Sequence, residues 1–232
     1  MNTARITAMT HRGATRETNE DALAIGPLTA CGVTQRDPAT CELPLTTPLL
    51  IAVADGMGGH EAGEVASAHA VRTLATTPPQ TQSEIISTLT QIDQNLTSNT
   101  DTAGLGTTIA GILLTQEGGL HFEAGDSRIY LQHGTYLTQI STDHRGPNGG
   151  LTQCLGGRTD GTPLHPTIEP LATYDRLLLC SDGLSDLVDL ETMEEILNSS
   201  TDPTRTVKSL WAAAMNASGR DNITIVLVEP PR

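Results

Sequence analysis

Residues 51–63 read Ile51-Ala-Val-Ala-Asp-Gly-Met-Gly-Gly-His-Glu-Ala-Gly63, an apolar run that stops on an acid and passes straight into glycines. A strand covered on both faces reads as such a continuous run. An unpaired carboxylate at its end is costly to bury, so something must compensate Asp55. Three arrangements compete: a loop that cradles phosphate, a capping turn into the next helix, or a metal ligand. The phosphate loop fails on chemistry. Gly56-Met57-Gly58-Gly59-His60-Glu61 lacks a Lys-Ser/Thr pair and puts Glu61 where a G-x-G-x-x-G pattern has its last glycine. Glycines here instead let a backbone carbonyl, that of Gly56, approach an ion beside Asp55.

Other acids stand in similar places. Asp126 follows an apolar strand candidate at 120–124, Asp182 follows one at 176–180, and Asp221 precedes one at 222–228. Asp21 closes Arg16-Glu-Thr-Asn-Glu-Asp21. Taken singly, an Asp beside glycine is a turn residue. Five such sites at strand ends, far apart in sequence, point to convergence. Two carboxylates ~4 Å apart repel by about 4 kcal/mol at an effective dielectric near 20. Hard divalent cations remove that penalty, and all-oxygen donors suit Mg²⁺ or Mn²⁺. The sequence has no His/Cys cluster for zinc.

The spacing predicts a strand at 49–54 and further strands at 107–114, 120–124, 128–131 and 136–140, with gaps too short for a crossover helix and hence antiparallel pairing. Thr81-Gln-Ser-Glu84 is a capping box, followed by Ile85, Leu89, Ile92 and Leu96 at helical spacing. Asp202-Pro203 starts a second helix, with Val207, Leu210, Trp211 and Ala214 as its apolar stripe and Gly219 as its end. Residues 31–48 and 144–166 read as irregular segments. Runs of strands with grouped helices predict an α+β fold of layered sheets with helices outside, in one domain over 1–232.

The 232 residues carry 13 Lys plus Arg against 27 Asp plus Glu, a net charge of −14. That field disfavours nucleic acid and anionic membrane as partners. It also repels a phosphorylated substrate unless cations or a local arginine reverse the sign. Aromatics are 2% of the chain, so the core rests on Leu, Ile, Val and Ala. Cys31, Cys41, Cys154 and Cys180 form no C-x-x-C pair, and no run is fit to span a bilayer or serve as a signal peptide. A cytoplasmic location is expected. Cys180 reads as a core residue.

With these stretches in hand, the chain resembles the metal-dependent protein phosphatases, the type-2C (PPM) serine/threonine class in its bacterial form. The matching stretches are Arg16–Asp21, Val53–Gly63, Gly106-Thr-Thr108, Ala124-Gly-Asp-Ser-Arg-Ile-Tyr130, Leu179-Cys-Ser-Asp-Gly-Leu184 and Gly219-Arg-Asp-Asn-Ile-Thr224, all in the family's order. The resemblance implies a four-layer α-β-β-α sandwich, two antiparallel sheets flanked by antiparallel helices, with metals in a cleft at one end. It implies that Asp55 bridges two Mn²⁺ or Mg²⁺ ions, that Gly56 binds one through its carbonyl, and that Asp182 and Asp221 are further ligands. Asp126, with Asp182, would serve a third, weaker ion. Asp21 and Glu20 would hold waters on the metals, and Arg16 would grip the substrate phosphate. The implied activity is hydrolysis of phosphoserine and phosphothreonine on proteins by a hydroxide on the two metals, opposite a cognate serine/threonine kinase. Ser127 and Ser181 then need not be nucleophiles.

Two departures from the family pattern stand out. Met57 follows Asp-Gly where many eukaryotic members carry a histidine, and His60 nearby reads as structural, so no general acid is assigned. The flap at about 143–166 is shortened, which implies a more open site and puts the third ion in doubt. That shortening is also what favours the alternative, a catalytically silent phosphoprotein-binding module on the same fold.

Overall fold

The computed structural model describes residues 2–58, 62–98, 104–116, 118–158 and 161–230. Strands are numbered in chain order. One antiparallel sheet has six strands in the order β10 (Tyr136–Gln139), β9 (Arg128–His133), β13 (Arg176–Cys180), β14 (Ile223–Glu229), β1 (Thr3–His11) and β4 (Ala39–Pro44). The other has eight. Its path runs β3 (Leu28–Cys31), β2 (Asp21–Ile25), β5 (Leu49–Met57), β7 (Ile109–Thr115), β8 (Gly118–Ala124) and β12 (Thr167–Pro170). Past Thr108, β6 (Gly106–Thr107) takes over from β7 beside β5 and pairs in turn with β11 (Leu155–Gly156).

The alternation along β5 explains its unbroken apolar reading. Leu50, Ala52 and Ala54 pack with α1 (Ala62–Thr76) and α2 (Gln82–Ser98), while Leu49, Ile51 and Val53 meet Ile6, Leu177, Leu179 and Val226 of the other sheet. Both faces are covered, so neither needs polar residues. On the far side Leu178, Cys180, Ile225 and Leu227 pack under α4 (Leu190–Ser199) and α5 (Pro203–Ala217), with Leu184 from the short α3 (Asp182–Ser185). The layers are thus helix, sheet, sheet, helix.

Small residues let these layers close without aromatics. The single phenylalanine, Phe122, is fully buried opposite Gly111 in the β7–β8 register. A Cβ at 111 would lie well inside contact distance of the ring. Burying such a ring stabilises by about 1.5–3 kcal/mol.

The helix starts follow the capping reading. Thr81 Oγ1 accepts from Glu84 N (3.3 Å), and the Glu84 carboxylate accepts from Gln80 N (2.8 Å), one residue before the usual box partner. Asp202 accepts from Thr204 N (3.0 Å) at the start of α5, and Gly219 N closes that helix on Ala214 O (2.9 Å). Among the described residues, no helix is long and apolar enough to cross a membrane.

Three expectations need correction. Residues 31–48 are not one loop: β4 pairs with β1 over six residues as an edge strand, and its exposed Thr40 and Glu42 gave it a polar reading. The strand expected at 107–114 breaks at Thr108, whose N–H turns to Asp55 O (2.9 Å). The strand expected to stop at 54 continues to Met57, so Asp55 and Gly56 lie within β5.

Candidate active site

The antiparallel pairings bring the five strand-end acids to one end of the sandwich. Asp21 opens β2 and is the register partner of Asp55 in β5. Asp182 follows β13, Asp221 precedes β14, and these two strands pair Cys180 with Ile225. Asp126 lies in the turn after β8.

Asp21 is fully buried. Its Oδ2 accepts from Ser181 Oγ and Thr224 Oγ1, each at 2.7 Å, so an acid of the eight-stranded sheet is held by hydroxyls of the six-stranded one. Its Oδ1 is buried with no hydrogen-bond partner. Burial, reinforced by the charges of Asp182 and Asp221 and opposed by the two hydroxyls, pushes its pKa up to about 7.

The backbone of Asp55 is clamped on both sides. Its N–H donates to Thr108 Oγ1 (3.0 Å), and its carbonyl accepts from Thr108 N (2.9 Å) and Thr107 Oγ1 (2.9 Å). Its carboxylate has no donor among the described residues. Burial, then the charges of Asp21, Asp182, Asp221 and Asp126, raise its pKa well above the ordinary carboxylate value. Asp182 is raised to about 6 by burial and by Asp126, Asp221 and Asp186, with Arg145 opposing.

Among the described residues, no three acidic, histidine or cysteine side chains close on one point as a metal ion requires. The donor set nevertheless fits a cation. An orphaned buried oxygen on Asp21 and a carboxylate on Asp55 without a donor, both raised by burial and by neighbouring acids, together describe negative charge lacking a counter-charge. All the donors are oxygens, as Mg²⁺ and Mn²⁺ prefer.

Arg16 stands at the edge of this group. Its Nη2 donates to Asp221 Oδ2 (2.8 Å), and its side chain is 51% exposed. The loop that carries it is fixed by Asn222, which sequence reasoning quoted only as part of a motif. Asn222 Oδ1 accepts from Glu20 N (2.7 Å), while Nδ2 donates to the carbonyls of Arg12 (3.0 Å) and Thr18 (2.9 Å).

Glu20 and Gly56 have local packing reasons for their identity. The Glu20 carbonyl accepts from Ser67 Oγ (2.5 Å) and Gly56 N (3.2 Å). Its carboxylate lies against Gly63 in the first turn of α1, where any Cβ would collide with it. A Cβ on Gly56 would in turn run into the carbonyls of Gly63 and Glu20. The close approach of α1 to β5 therefore requires both glycines, whatever else Gly56 binds.

Asp126 is paired with a residue that the sequence did not mark. Arg145 Nε donates to Asp126 Oδ2 (2.5 Å), and its Nη2 donates to Asp182 Oδ2 (3.2 Å) and to Asp186 Oδ2 (3.1 Å). Asp186 lies one helical turn beyond Asp182, which is the only signal that could have found it. Arg128 lies further out and reaches only Asp186 of these acids, at 3.8 Å. It forms a fork on Asp143 (2.7–3.1 Å) and donates to Ser185 O (3.2 Å).

Of the remaining candidates, His60 lies outside the described residues. Cys180 is buried in the core, and burial pushes its thiol up to about 12, which keeps it neutral. Ser181 and Ser127 are buried and engaged, the latter with Thr108 Oγ1 (2.6 Å). A cleft of about 580 Å³, lined by Met57, Leu151, Gln153, Arg158 and Thr162, separates the end of β5 from the short flap.

Comparison with known proteins identifies the family and the fold. A family model described as Protein phosphatase 2C matches residues 39–218. The serine/threonine phosphatase stp of Listeria monocytogenes is 33% identical over 211 residues, covering 78% of this chain and 84% of its own. Among solved structures, Pseudomonas aeruginosa PppA, described as a key regulatory component of T6SS, superposes with a TM-score of 0.77 at 27% identity, covering 98% of this chain and 97% of its own. The catalytic domain of the serine/threonine protein phosphatase PstP, in complex with two manganese ions, superposes with a TM-score of 0.73 at 29% identity, covering 99% of each chain.

Proposed function

The chain belongs to the protein phosphatase 2C family, and from that premise we propose that it hydrolyses phosphoserine and phosphothreonine on proteins at a centre of two Mn²⁺ or Mg²⁺ ions. The observation that carries this reading is the convergence of Asp21, Asp55, Asp182 and Asp221 at one end of the sandwich, with one buried oxygen of Asp21 left without a partner beside its register neighbour Asp55. In this reading residues 1–232 form one catalytic domain with a shortened flap at about 143–166. Asp55, Asp182, Asp221 and the Gly56 carbonyl would hold the ions, with Asp126 alongside. Such ions, when bound, lower the pKa of water toward neutrality and neutralise charge on a transferring phosphoryl group.

The chain's own residues do the rest. Asp21, held by Ser181 and Thr224 through one oxygen, keeps the other free to accept from water beside Asp55, and Glu20 stiffens the same corner. Arg16 offers a planar fork matched to phosphate oxygens. Asp221 already holds it at the edge of the acids, so phosphate and Asp221 compete for one guanidinium. Because the serine hydroxyls at 127 and 181 are buried and committed, attack by water is the route that needs no rearrangement. The flanking peptide of the substrate would lie in the cleft beside Met57, and a serine/threonine kinase would supply it.

The test is phosphate release from a phosphothreonine peptide with Mn²⁺ and with chelator, for wild type beside Asp55→Asn. Turnover that requires Mn²⁺ and collapses in the variant is expected. Absence of turnover by folded, Mn²⁺-loaded wild type across several phosphopeptides would overturn the activity and favour the silent binding module.

A further inference from the structure

Arg145 lies among the carboxylates of Asp126, Asp182 and Asp186, its Nε 2.5 Å from the first and its Nη2 3.2 and 3.1 Å from the other two. We propose that Arg145 is a fixed counter-cation of this site, standing where a further divalent ion would otherwise bind, so that the centre takes up two ions and not three. The inference rests on the two-ion reading above for the count, and on this chain's own contacts for the place. Carboxylates brought this near one another attract a hard cation unless a positive group already lies among them. A guanidinium brings donors in a rigid plane and retains its charge at any pH of interest.

Arg145 is also built in. The preceding residue, His144, is stitched to the turn that carries Asp126: its N–H donates to Gly125 O (2.9 Å), and its Nδ1 accepts from Gly125 N (3.1 Å). Asp143 is held by the Arg128 fork and by Gln139 Nε2 (2.8 Å). On the other side Arg145 bridges Leu151 across a tight turn closed by Gly146 N to Gly150 O (2.8 Å). The flap then returns through a second clamp, in which Arg158 Nη2 grips both oxygens of Asp93 (2.8 Å each) and Asp93 Oδ1 accepts from Gly156 N (2.8 Å). Moving the guanidinium out would require reorganising a hairpin pinned at both ends. A longer flap is not needed to shape this corner, because Arg145 already ties the short one to the acids.

Two measurements on the full chain decide this. Equilibrium dialysis against millimolar Mn²⁺ with elemental analysis should give two ions per chain for wild type and three for Arg145→Gln. The double variant Arg145→Gln/Asp186→Asn should return to two. Three ions in wild type, no third ion in folded Arg145→Gln, or a third that survives in the double variant would each overturn the proposal. In chelator, Arg145→Gln should melt a few degrees below wild type, because Asp126 and Asp182 lose their counter-charge, while Asp186 keeps only Arg128 at 3.8 Å. An equal or higher melting temperature would overturn it. Wild type that takes up no Mn²⁺ breaks the two-ion reading instead, and the melting comparison then decides the role of Arg145 by itself.

Discussion

Arg16 and Arg145 reach the same row of acids from two different loops. Arg16 makes one ion pair, with Asp221, from a half-exposed side chain. Arg145 is 32% exposed and meets three carboxylates from a hairpin anchored at both ends. A cation held by one partner can exchange it for a phosphate group, whereas one held by three is committed to the fold. On the proposed reading, identical chemistry serves recognition in one place and charge balance in the other, and the number of anchors makes the difference.

The comparison can be broken first at its centre. Asp55→Asn removes the carboxylate that faces Asp21 in register and has neither arginine as a hydrogen-bond partner. Turnover should fall on the order of 10²–10³-fold, while melting in chelator should hold or rise as repulsion is relieved. Steady-state phosphate release and thermal melts of the same preparations check both halves.

A weaker blow falls on the anchored side. The Asp93–Arg158 pair is well buried, at 13% and 8% exposure, so Asp93→Ala leaves a charge without its partner. A loss of about 3 kcal/mol is expected from urea unfolding, with the flap that carries Arg145 opening first in hydrogen exchange. On the lightly held side, Arg16→Lys keeps the charge and loses the fork. A hydrogen bond to a charged group is worth about 1.5–3 kcal/mol, which predicts a roughly 10- to 100-fold fall in kcat/KM with Mn²⁺ uptake unchanged.

The smallest effect is electrostatic. In the metal-free protein the carboxyls of Asp21, at about 7, and Asp182, at about 6, lie above the unfolded aspartate value of ~3.9. The folded state therefore binds more protons than the unfolded one. The penalty is fully present above about pH 7 and is relieved as the pH falls through 7 and 6 toward 4. Chelated protein should accordingly melt higher near pH 5.5 than at pH 8, and Asp21→Asn should narrow the gap. Melts at the two pH values read this directly.

The strand-end acids and the alternation of β5 were legible because burial on both faces leaves a plain apolar record. β1 was not, since its Thr7 and Thr10 are buried and satisfied by Thr40 and Thr224, so hydroxyls stand where hydrophobic residues are expected. α1 was missed for a related reason. Ala66 and Ala70 pack against Ala22, Ala24 and Ala52 at close range, and alanine marks a face only weakly. Arg145 carries no sequence signal at all: its three partners lie 19, 37 and 41 residues away, and only the fold brings them together.

The register that pairs Asp21 with Asp55 has a consequence for how such a chain can change. Side chains on a strand alternate faces, so inserting one residue in β2 or β5 would turn an acid to the opposite side and shift it by ~3.4 Å. No fractional adjustment exists. Length variation within this architecture is therefore pushed out of the strands and into connections such as 143–166, where residues can be gained or lost without moving Asp21 or Asp55.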